Sequence, residues 1–273
     1  MSLDTCADIV RKGDPDRFAG AMLAPMPARG HLMVLYAFNV EVARAPWVTA
    51  EPMIAQMRLQ WWRDVIAEIY GGGPVRRHEV ATPLAEVIAQ MGLPRGLFDG
   101  IIDAREADIE RDPKTPEQAM TLADGTAGNL MVLAVKALGV GGEARHAARY
   151  LGRAQGAANL GMALPVLYKS GWRFLDGWEG ASMGTGSPTN ALIGAAAALG
   201  SEGLRQIELA RENSASLPWA ARPALLTGVR TYKVLRAMDH WKDRHRIFER
   251  DFGISEARRR VLALSKYWMR ALY

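Results

Sequence analysis

The chain has 273 residues, 49% of them hydrophobic and 23% charged, the balance of a globular protein long enough to bury a substantial core. Its single cysteine, Cys6, excludes an internal disulfide and any cysteine-based zinc site, and no apolar run approaches the ~20 residues of a membrane span. A formal charge of +5 suits an anionic partner such as a membrane surface, a phosphate or an acidic protein.

The N-terminus, MSLDTCADIVRKGDPDRF, lacks an apolar signal core and is not acid-poor like a transit peptide. A cytoplasmic chain of bacterial type, peripheral at most to the inner face of the membrane, is therefore expected. Pro27 is expected to open a helix that runs to Arg44, with Pro46 ending it. Thr49 is expected to cap a second, through MIAQMRLQWWRDVIAEIY, closed by Gly71, Gly72 and Gly73. Thr115-Pro116-Glu117-Gln118 reads as a capping box opening a helix towards Leu138. A long amphipathic pattern follows from Gly142 to Lys169. Residues 170–190, rich in Gly, Ser and Trp, read as a surface loop or lid. Helical patterns resume over 188–213, over 218–242, and from Ser255 to the end. Period-two alternation with hairpin turns is missing, so the expectation is one all-α domain over 1–273 with roughly eight to ten helices.

Some residues invite a chemical reading and have a plainer one. Asp108/Asp112 and Asp239/Asp243 have the spacing of paired metal-binding acids. Chance alone predicts about three acidic pairs at that helical spacing in such a composition. Asp112 precedes Pro113, which points to a helix end, and Arg111, Lys242 and Arg244 suggest ion-paired, solvated faces. His240 and His245 beside Asp239 and Asp243 match no metal-ligand spacing and read as surface histidines. Arg145, Arg149 and Arg153 recur every four residues, either a grip for a phosphate, an anionic lipid or an acidic partner, or the wet face of a helix. Trp61 and Trp62, with Leu59 and Val65, read as helix packing. Ser182 and Ser187 lack a nucleophile-elbow context, and no phosphate-cradling glycine motif is present.

DPDRFAGAML followed by VLYAFNVEVAR, RLQWWRD at 58–64, IIDAREADIE at 101–110, TAGNLMVLA at 126–134, LGRAQGAANL at 151–160 and TYKVLRAMD with IFERDFGIS further on together resemble the squalene/phytoene synthase family. The resemblance covers nearly the whole chain and implies an all-α isoprenoid-synthase-like bundle around a central cavity. Active members join two prenyl diphosphates head to head, using Asp-rich motifs on facing helices to hold the Mg²⁺ ions that neutralise the diphosphate. Here the first motif is degenerate across Asn39, Glu41, Ala43, Arg44 and Trp47, and the second across Asn159, Ala163 and Leu167. No Asp or Glu occurs between Ala144 and Leu175, and the family's Gln is replaced by Gly156.

Acid-poor YAFNVEVAR followed by RLQWWRD resembles the branch of that family formed by assembly factors of respiratory complex I. That resemblance implies a non-catalytic helper of NADH dehydrogenase assembly with protein partners, no metal and no cofactor. An alternative is a prenyltransferase with a displaced acidic site at Asp103, Glu106, Asp108 or Asp124, and only there would Mg²⁺ be needed. A carrier of isoprenoid or other lipid in an emptied cavity is the third reading. Nucleic-acid binding is not expected, because the basic excess lacks interleaved aromatics and any recognised module.

Overall fold

Proline and glycine punctuation sets most helix boundaries in the computed structural model, which describes residues 2–49, 51–177, 188–214, 217–240, 244–249 and 251–268. Asp14 caps α2 (Pro15–Ala21) by accepting from the Arg17 amide at 3.0 Å, directly after α1 (Ser2–Gly13). Helix α3 (Ala28–Arg44) follows Pro27 and ends two residues before Pro46. Helix α4 (Pro52–Gly71) closes on Gly72 in the left-handed region, at φ 72°. Thr49 accepts the Glu51 amide at 3.0 Å, so it bonds the turn ahead of the helix instead of capping it. Helices α5 (Ala81–Met91) and α6 (Arg95–Glu106) come next. The expected capping box is present in both halves: Gln118 N donates to Thr115 Oγ1 at 3.3 Å, and Thr115 N to Gln118 Oε1 at 2.9 Å.

The helix it opens is not continuous. Helix α7 (Pro116–Ala123) passes through a π-turn at Asp124–Gly128 into α8 (Asn129–Ala137). Thr126 Oγ1 bonds back to the Leu122 carbonyl at 2.7 Å and Asn129 Nδ2 to that of Gly125 at 2.9 Å, inside the widened turn. Helices α9 (Ala144–Lys169) and α10 (Asn190–Glu212) match the expected stretches, the latter capped by Thr189. The helix expected over 218–242 is instead broken: a 3₁₀ turn, α11 (Arg222–Leu225), a second 3₁₀ turn ending at Gly228, and α12 (Thr231–Asp239). Helix α13 (Glu256–Trp268) completes thirteen α-helices among the described residues, more than the eight to ten expected because several are short. No helix of the described residues is long and apolar enough to cross a membrane.

Two apolar clusters form the interior. In the first, Phe38 of α3 meets Trp62 of α4 and Phe98 of α6 edge-to-face, at 5.2 and 5.4 Å. The second gathers α7, α10 and α12 around Leu164, Leu167 and Tyr168 of α9. Helix α9 runs through both, with Ala148 and Leu151 in one and Ala154 and Ala158 in the other. Its small residues permit the close approach. A Cβ on Gly156 would stand 2.6 Å from Ala123 Cβ of α7, so the glycine lets the two helices touch backbone to side chain.

Residues 170–177 are not a free loop. Lys114 N donates to Phe174 O at 2.9 Å and Asp176 N to Lys114 O at 3.0 Å, an isolated parallel bridge that pins the segment against 110–114. The remainder of the expected lid, 178–187 with Ser182 and Ser187, lies outside the described residues, as do Asp243, Lys242, the His245 side chain and the chain beyond Trp268.

Candidate functional site

The two acid-poor stretches expected to be degenerate motifs fall in the last part of α3 with the turn after it and in the second half of α9. Asn39 is buried, Glu41 and Ala43 are half-buried, Arg44 is exposed, and Trp47 sits beyond the end of the helix in the connection to α4. On α9, Asn159 and Ala163 are half-buried and Leu167 is buried. Of these, the structure brings Trp47 and Leu167 into one groove of about 590 Å³, walled also by Arg111, Pro113, Val166, Trp172 and Arg173. No carboxylate lines it.

Instead, Trp47 packs on Trp172 with ring centroids 4.2 Å apart and planes tilted by 38°. The Arg111 guanidinium lies 4.7 Å from the Trp172 ring centroid. A divalent cation would meet two indoles and two guanidiniums here, and both its charge and its preference for oxygen ligands oppose that. Glu41, the one acid on α3, points elsewhere: it lines a separate groove with Arg58, Trp61, Trp62 and His78.

The acids considered as a displaced site are each held by an arginine. Asp103 and Glu106 both pair with Arg63 of α4. Asp108, buried and past the end of α6, pairs with Arg105 at 3.1 Å. Asp124 takes Arg149 through two bonds of 2.8 Å. Only Asp103 and Glu106 meet, on that shared arginine, and among the described residues no three of His, Cys, Asp and Glu are grouped so as to hold a metal. Asp112 is exposed and lies six residues past the end of α6, so it shares no helix face with Asp108. Asp239 accepts from Ser201, and its partner in the DxxxD pair is outside the described residues.

The basic row on α9 does not act as one surface. Arg145 bonds the Gly142 carbonyl at 3.2 Å, Arg149 is engaged by Asp124, and Arg153 turns into a groove with Glu117, Glu202 and Arg205. In that groove Glu202 is held below the usual carboxylate range, mainly by its bond from Arg205. Trp62 is buried in the core, as the packing reading expects, while Trp61 is half-buried with Arg76 above its ring at 5.3 Å.

Sequence reasoning missed a buried polar seam. Asp16 of α2 pairs with both Arg230 and Arg259, tying the start of the chain to residues more than two hundred positions later. Beside it Arg17 pairs with Asp14 and reaches Gln155 at 3.4 Å, and Thr227 Oγ1 donates to the same Gln155 oxygen at 3.3 Å. The Tyr36 hydroxyl is buried without a hydrogen-bond partner, and burial pushes its pKa up. The DPDRF stretch carried a signal for this, Asp-Pro at a helix start followed by an arginine, but not for its distant partners.

With this geometry in view, the relatives are informative. Over 162 residues the chain is 30% identical to the bovine (Bos taurus) NADH dehydrogenase (ubiquinone) complex I, assembly factor 6, covering 59% of this chain and 48% of that protein. The match thus spans about half the length of that relative. Presqualene diphosphate synthase of Rhodopseudomonas palustris is 31% identical over 107 residues, 37% of this chain and 36% of that enzyme. The squalene synthase HpnC from Alicyclobacillus acidocaldarius superposes with a TM-score of 0.71 at 18% identity, covering 86% of this chain and 92% of that one, a likeness of fold. A squalene/phytoene synthase family model matches residues 10–240, and the chain therefore belongs to the squalene/phytoene synthase family.

Proposed function

We propose that this chain is a non-catalytic member of its family that helps assemble NADH dehydrogenase, respiratory complex I, by binding protein partners at the inner side of the energy-transducing membrane. The observation that carries the non-catalytic part is the groove between the ends of α3 and α9, which Trp47, Trp172 and Arg111 line and no carboxylate does. Ionising a prenyl diphosphate needs divalent cations bridging its oxygens, and this groove offers them no carboxylate. The assembly part follows the likeness to the complex I assembly factors.

The test is deletion of the gene in its host. Complex I holoenzyme, read on native gels and by NADH oxidation, is expected to fall, and unchanged complex I would remove the assembly role. The alternative, a prenyltransferase working through Asp103, Glu106, Asp108 or Asp124, draws support from the stretch like presqualene diphosphate synthase. Against it, each of those acids is already engaged by an arginine, Asp103 and Glu106 sharing Arg63. An isoprenoid carrier would retain lipid through purification.

A further inference from the structure

We infer that the end of the bundle where α3 and α9 stop and α4 begins is a docking face for a bilayer containing anionic phospholipid. Large apolar side chains are exposed there: Met53, Met57 and Val166 are 71%, 66% and 68% exposed, Val48 and Ile54 are near half, and so is Trp47 although it stacks on Trp172. Met53 and Met57 stand one turn apart on α4, with Ile54 beside them. Single exposed apolar residues are ordinary, but five within residues 47–57, with Val166 of α9 beside Trp47 in the groove, mark an interaction surface.

Around this end Arg44, Arg58, Arg111, Lys169 and Arg173 are exposed, and so are Glu51, Glu110, Asp112 and Asp176, so the anion preference rests on the groove itself. The groove beside Trp47 has Arg111 and Arg173 as its only charged walls, and no carboxylate among the described residues pairs with either. Arg111 is the one described non-glycine residue in the left-handed region, at φ 55°, and its guanidinium lies over Trp172. A tryptophan at the level of the head groups, flexible methionines and valine reaching the acyl boundary, and arginines at phosphate depth together match a phospholipid interface.

This inference rests on the membrane-side placement in the proposed function and fails separately from it, since complex I assembly is read in cells and lipid binding on the purified chain. The full chain is co-sedimented with phosphatidylcholine vesicles and with vesicles of equal parts phosphatidylcholine and phosphatidylglycerol. Binding to the anionic vesicles only, weakened by added salt, is expected. The double variant Arg111→Gln, Arg173→Gln should bind roughly thirtyfold more weakly, and Met53→Ser, Met57→Ser should also lose most binding, both with unchanged circular dichroism because the positions are exposed. Val261→Ser, Leu264→Ser, in the other exposed apolar stripe, on α13, should leave binding intact. Absence of binding to anionic vesicles, equal binding to neutral ones, or dependence on the α13 stripe and not on this end would overturn the inference.

Discussion

Trp47 and Trp172, 125 positions apart in sequence, meet face on tilted face at 4.2 Å between centroids and close the gap between the ends of α3 and α9. The pair also carries the Arg111 guanidinium, so one stack fixes the loop after α3, the turn after α9 and the stretch before Lys114. Trp47→Ala should cost about 1 kcal/mol, the value of an aromatic pair at a half-exposed site, and lower the melting temperature by about 2–4 °C. A melting temperature within error of the wild type would show that the stack holds nothing together.

Asp16 accepts from Arg230 and Arg259 while itself nearly buried. Removing it leaves two guanidiniums without a counter-charge, so Asp16→Ala should destabilise by about 3–5 kcal/mol. Urea unfolding read by circular dichroism checks this. A loss under about 1 kcal/mol would mean that water reaches the pair and the seam is solvated.

Glycines on two helices should respond with opposite sign. At Gly156 a Cβ would collide with Ala123 of α7, and Gly156→Ala should cost about 1–3 kcal/mol by overpacking. At Gly194, inside α10, a Cβ would meet nothing within 4 Å, and Gly194→Ala should stabilise by about 0.5–1 kcal/mol through lower chain entropy in the unfolded state. Thermal melts of the two variants suffice, and a shift of the same sign in both would contradict the packing argument.

Cys6 is fully buried, its thiol donates to the Glu79 carbonyl at 3.6 Å, and burial, with Glu79 nearby, pushes its pKa up to about 11. At pH 8 the thiolate is then scarce as well as inaccessible. A disulfide-exchange reagent should leave the native protein unmodified and react with one thiol per chain after denaturation. Rapid reaction of the folded protein at pH 8 would place Cys6 at the surface.

The helices bounded by proline and glycine were legible because those residues act locally. Pro27, Pro46 and the Gly71-Gly72 pair mark α3 and α4, and the Thr115–Gln118 box starts α7. The π-turn at Asp124–Gly128 was not legible, since hydrophobic periodicity over so few residues cannot separate a bond to the fourth neighbour from one to the fifth. The break at Gly228 escaped for a similar reason: 218–242 is periodic in composition, yet tight packing of the 3₁₀ turn against α2 decides its geometry, and a Cβ on Gly20 would touch Pro223 and Thr227.

The lack of acids at positions 43, 47, 163 and 167 could be read directly from the residues. The groove that Trp47 and Leu167 share could not. Trp172 and Arg111 come from segments whose approach depends on the Lys114–Leu175 bridge, a contact between stretches about sixty residues apart. The arginine partners of Asp103, Glu106 and Asp124 are likewise remote in sequence, which is why spacing alone left a displaced acidic site open.

The most direct measurement incubates the purified chain with farnesyl or geranylgeranyl diphosphate and Mg²⁺ and follows pyrophosphate release together with hydrocarbon products. With indoles and guanidiniums where a diphosphate's metals would need carboxylates, release should not exceed the protein-free blank at any Mg²⁺ concentration. Turnover that saturates with the metal and stops on chelation would contradict the account.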